Sequence, residues 1–144
     1  MLLVGAAVLS RCTSHPVGPA RTFAKYEGKA TTTAASALSA VESTRLAAQT
    51  AGKGKALGPY TSVLVSEQEE TLGGLQSTFD SIQPPDERAD ALRDELDQLL
   101  SDAGTHVAAV RIAARRGTLR GLETVAAPLD EDAKKLTAFQ DQHQ

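Results

Sequence analysis

Three histidines, one cysteine and a run of carboxylates are the side chains of this 144-residue chain that could do chemistry. His106 follows Asp102 by one helical turn, so the two share a helix face and could meet. An imidazole beside a carboxylate is half of a general base. A hydrolase also needs an oriented nucleophile, and no Ser, Asp and His stand at a spacing that assembles one. Two ligands fall short of a metal site, and the Glu-x-x-His pairs used by di-iron bundles are absent. His15 lies near the start and His143 at the tail, away from His106 in sequence. With Met1 the only methionine and no Cys-x-x-Cys-His, haem has no support. The "GKGK" at Gly52 to Lys55 lacks the spacing and the Ser or Thr of a phosphate loop and reads as a connection. The expectation is a non-enzymatic protein with no catalytic, metal or cofactor site; a ligand-sensing or metal-binding bundle is the competing reading.

Charge is more informative in its distribution than in its total. The net charge of −3 gives no general reason to expect nucleic acid. Residues 11–58 carry seven basic and two acidic residues, residues 59–102 carry two basic and eleven acidic, and residues 103–120 carry four basic and none acidic. The acidic stretch falls on solvent-facing positions of amphipathic helices, where carboxylates are solvated.

The elements that must position these groups are helical. Aromatics make up 3% of the chain and Trp is absent, so the core is built from Ala, Leu and Val, and few runs alternate with the period of a strand. A first helix is predicted over about 20–51, with Ala30, Ala34, Ala37, Leu38, Val41 and Ala48 on one face and Gly52 at its stop. The run Thr31 to Thr33 lowers helix propensity in its first turns. A second spans about 58–83 on the stripe Val65, Leu72, Leu75, Phe79 and Ile82, with Gln68 in the missing place. "SEQE" at Ser66 to Glu69 also matches a capping box that would start this helix just after Val65. Gly73 and Gly74 in its middle suggest close helix contact or a bend.

Pro84 and Pro85 end the second helix, Pro85 suits the first position of the next, and Asp86, Glu87 and Asp90 complement its N-terminus. The third helix then runs to Arg116 with Leu92, Leu96, Leu99, Ala103, Val107, Val110 and Ala114 inward. Gly117 stops it, Thr118 caps a fourth segment carrying Leu119, Leu122, Ala126, Leu129, Ala133 and Leu136, and Pro128 should kink or split that segment. Helices of similar length on short connections turn back on one another. The expected fold is all-α, an antiparallel up-down four-helix bundle with coiled-coil-like seams. In that arrangement Lys53 and Lys55 share one end with Arg111, Arg115, Arg116 and Arg120, a basic tip roughly 45 Å from where the chain enters. The tip could dock an acidic protein or an envelope polyanion, while cations at a helix C-terminus also complement the dipole.

The opening "MLLVGAAVLSRC" places the single thiol, Cys12, where an apolar run stops. Leu2 to Leu9 are too few to span a bilayer but could form the apolar region of a secretory signal. "VLSRC" resembles the lipobox of bacterial lipoproteins, with Leu9 at the apolar position, Ser10 small and Cys12 the residue that receives lipid. Arg11 stands where that family carries Gly, Ala or Ser, and no basic residue precedes the apolar run. The Ala-rich chain as a whole is similar to small uncharacterised lipoproteins of actinobacteria, a likeness that brings no known activity with it. It implies a signal-like leader over residues 1–11, a flexible tether over 12–19 and a helical domain over 20–144, anchored at the extracytoplasmic face of the membrane. Without that likeness, the opening is the apolar start of a cytoplasmic protein.

Overall fold

The structure, a computed structural model, describes residues 19–144; the leader, Cys12 and most of the tether, with His15, lie outside the described residues. All regular structure in it is helical: α1 (Phe23–Gly52), α2 (Gly58–Asp80), α3 (Glu87–Arg115), the short α4 (Leu122–Ala126) and α5 (Pro128–Gln142). The last two form one helix bent at Pro128, so four helices pack together. Proline has no N–H with which to continue the ladder of α4, and its fixed φ suits the first turn of α5.

Helix ends follow local chemistry. The Thr22 hydroxyl accepts from the Lys25 N–H at the start of α1, and the Asp86 carboxylate accepts from the Ala89 N–H at the start of α3. The guanidinium of Arg88, and then the Ala89 N–H, hold the Asp86 carboxyl below its ordinary value. Pro85 therefore lies before the cap rather than in the first helical position, because Asp86 supplies the extended backbone and the acceptor that a cap needs. At the end of α3, Gly117 takes φ +77, its N–H bonds Ala114 O, and the Thr118 N–H bonds Ala113 O. This Schellman closure recurs after α1 with Gly54 at φ +70, bonding to Ala51 O, and Lys55 to Thr50 O. The helix stops at Gly52 as the sequence indicates, but the left-handed residue is Gly54.

Three sequence expectations give way to neighbouring structure. Ser66 is not a cap: α2 runs through it from Gly58 and its hydroxyl donates to Ser62 O at 2.8 Å. Thr118 is not the cap of the fourth segment either, since it is committed to closing α3 and Gly121 at φ +81 leads into α4. Gly73 and Gly74 mark no close approach, because a Cβ on either would meet open space. The threonines near the start of α1 are accommodated by hydroxyls that donate one turn back, Thr31 to Glu27 O and Thr32 to Gly28 O.

The core explains the packing order. Buried positions of α1 are mostly alanine, among them Ala30, Ala34, Ala37, Ala40 and Ala48. Side chains that small let helix axes approach, and α1 meets α3 across the middle of the bundle. That contact separates α2, which packs on α1 and α3, from α4 and α5, which pack on their other side. The larger side chains fill what remains: Val65, Leu72 and Phe79 from α2, and Leu122, Leu129, Leu136 and Phe139 from the bent helix, are buried. In α3 the buried leucines are Leu92, Leu96 and Leu100, and Leu99, expected inward, is only partly covered, because a core wider than a single seam takes the neighbouring row as well.

Candidate functional site

The connection of residues 53–57 and that of residues 116–121 lie together. Leu119 of the second sits against Gly58, where a Cβ would lie 3.6 Å from its side chain, and its backbone carbonyl is near Gly52. Each connection begins with a Schellman turn whose N–H groups bond carbonyls of the helix just ended. Lys53, Lys55, Arg115, Arg116 and Arg120 are all exposed, and none makes an ion pair among the described residues. Arg111 differs. It lies a turn back along α3, where its guanidinium is engaged by the Glu69 carboxylate of α2, and that hydrogen bond holds its pKa above the ordinary arginine value. One acidic group, Glu123, enters the cluster, its carboxylate lying against Gly52.

The histidines take partners that sequence spacing does not reveal. His106 turns away from Asp102, which instead accepts from the Gln98 amide at 2.7 Å. Its Nδ1 meets the Asp132 carboxylate of α5 at 2.6 Å, and Asp132 is only 4% exposed. A buried carboxylate on Nδ1 orients an imidazole as a general base is oriented. The contact ties α3 to α5. The His143 ring lies tilted against that of Phe139 with centroids 4.7 Å apart and meets Glu27 at 3.1 Å, while the Thr31 hydroxyl shares its proton between Glu27 O and the His143 carbonyl, 3.0 and 3.1 Å away. Arg45 bridges Glu42 and Asp130 at 2.7 and 2.6 Å. The last helix is thus pinned to α1 and α3 by polar contacts along its length.

A third group lies between α1, α2 and α3. Arg93 donates to Asp80 O at 3.0 Å and stands 3.8 and 4.0 Å from the carboxylates of Asp80 and Asp97. Burial, then the neighbouring Asp80 carboxylate, push the Asp97 carboxyl up to about 6. Burial pushes the nearby Tyr26 phenol up to about 12, and its hydroxyl has no hydrogen-bond partner among the described residues. No set of three or more His, Cys, Asp or Glu side chains among the described residues is placed to hold a metal ion. No described helix is long and apolar enough to cross a membrane.

No protein-family model, curated protein or solved structure matches the chain.

Proposed function

We propose that this chain is a non-enzymatic helical bundle, held at the extracytoplasmic face of a membrane by lipid on Cys12, that docks an acidic protein or an envelope polyanion on its basic end. One observation carries the docking: five exposed cations that make no ion pair among the described residues are gathered on the end of α3, at Arg115, and on the two adjacent connections, at Lys53, Lys55, Arg116 and Arg120. Charges left unpaired at one end raise the local concentration of an anionic partner and steer its approach. The proposal includes helices that run alternately up and down. Support comes from Tyr26 near the start of α1 packing its ring at a tilt against Phe79 near the end of α2, and from Glu27 of α1 meeting His143 beyond the end of α5. On that arrangement the basic end lies a full helix length from residue 19, the side from which an anchor on Cys12 would hold it. The N-terminal lipobox-like "VLSRC" is what supports the anchor itself.

Two measurements test the reading. Intact mass of the mature N-terminal peptide from the native host should carry a diacylglyceryl adduct on Cys12, and Cys12→Ala should leave the membrane fraction; an unmodified Cys12 in a soluble fraction would remove the anchor. Polyglutamate titrated into the protein should bind with an affinity that falls steeply with added salt. The combined Arg115→Glu, Arg116→Glu and Arg120→Glu variant should abolish that binding with helicity unchanged. Binding that survives the triple reversal would remove the tip.

A further inference from the structure

Among the described residues, four of the five large hydrophobic side chains left exposed belong to α1, α2 and the turn between them. Leu57 is 77% exposed, Leu46 and Tyr60 are each 66% and Val63 is 60%; only Ile112 lies elsewhere. Leu46 and Tyr60 line a groove between α1 and α2 with Ala47, Ala56 and Leu64, and Ser43 and Glu67 line it on the side away from the turn. An exposed apolar patch of this kind marks an interaction surface. Its charges say what covers it.

Opposite charges stand toward the two ends of this face: Glu67 lines the groove itself, and the lysines follow α1 into the turn. Lys53 lies seven residues beyond Leu46 toward the turn, and Glu67 lies seven residues beyond Tyr60 toward the body. At the rise of a helix each is about 10 Å from the apolar centre. Lys55 extends the basic end and Glu70 the acidic end, and none of these four side chains makes an ion pair among the described residues. An anionic bilayer or a uniformly acidic helix would be attracted by the lysines and repelled by Glu67 and Glu70 on the same face. A surface with the same alternation read in reverse meets both, and a copy of this face turned by a twofold axis across the groove is such a surface.

We propose that the α1/α2 face is where two copies of this chain meet, apolar centre on apolar centre, with Lys53 and Lys55 of each copy against Glu67 and Glu70 of the other. This goes beyond the docking reading: it takes Lys53 and Lys55 of the basic end into a contact along the α1/α2 flank and leaves Arg115, Arg116 and Arg120 for an anionic partner. A symmetric contact forms both charge sets at once, so reversing either set places like charges opposite each other twice over.

Sedimentation velocity of the full chain under reducing conditions, from micromolar concentrations upward, reads the result. The wild type should form a dimer that weakens as salt is added. Tyr60→Glu should weaken it by about tenfold or more, as loss of a central aromatic does, with helicity intact because the side chain is already exposed. The double variants Lys53→Glu with Lys55→Glu, and Glu67→Lys with Glu70→Lys, should each be monomeric alone and should dimerise when mixed. A wild type that stays monomeric at every concentration overturns the proposal. So does a dimer indifferent to Tyr60→Glu, which places the contact elsewhere, or a pair of charge variants that fail to complement each other. Monomer that instead binds phosphatidylglycerol vesicles through Tyr60 and Lys53 would give the face to a membrane and also overturn it.

Discussion

The polar side chains of this bundle are divided between those that tie helices together and those left to face outward. Asp97 belongs to the first group and carries a cost. Its folded-state carboxyl is raised to about 6 by burial and by Asp80, above the ordinary carboxylate value. Between about pH 4 and 6 the unfolded chain therefore releases this proton while the folded chain keeps it, and stability falls as pH rises through that window. Asparagine in place of Asp97 reproduces the neutral form and can still donate to Asp80. Asp97→Asn should raise the midpoint of thermal unfolding at pH 7.5 and flatten the decline between pH 4 and 6; an unchanged pH profile would show that Asp80 and Arg93 do not sense this carboxyl. The same residue scale separates Arg111, paired to Glu69, from the outward cations it accompanies in sequence.

At the scale of the element, small residues act in opposite ways according to what they face. Gly73 and Gly74 stand on an exposed stretch of α2 with nothing near the place a Cβ would occupy. Their effect is purely conformational, so Gly74→Ala should stabilise the fold by about 0.5 to 1 kcal/mol in urea unfolding. Ala37 of α1 is fully buried, in the helix that meets α3 across the middle of the bundle. Ala37→Leu should destabilise by about 1 to 3 kcal/mol in the same measurement, because the helices must separate to admit it. A neutral Ala37→Leu would mean that α1 and α3 do not pack at close range. Local signals marked most helix boundaries: Pro84 and Pro85 before α3, Gly117 after it, and Pro128 at the bend. They erred where one signal served two neighbours. Thr118 has the side chain of a cap, but its backbone N–H completes the turn that ends α3.

For the whole molecule, α4 and α5 are what close the bundle. They bury Leu122, Leu129, Leu136 and Phe139 against α1 and α3, and α2 does not reach them. An alanine-rich centre leaves a few large side chains to carry much of the apolar burial. Phe139→Ala should therefore cost about 3 to 5 kcal/mol in denaturant unfolding, a large part of what holds a domain of this size together. A loss under about 1 kcal/mol would show that the last helix is dispensable to the fold. Much of this architecture is legible in the amino-acid order alone. The apolar period, the prolines and the glycines state where each helix runs and which of its faces turns inward, because these depend on a residue's own backbone and on neighbours within a turn or two. The pairings are not legible in this way. Asp132 finds His106 across 26 residues and Glu69 finds Arg111 across 42, while the nearer Asp102 is passed over for Gln98. Helical periodicity fixes a side chain's angle around its own axis, but which neighbouring helix stands at that angle, and at what height, is decided only when the four helices pack.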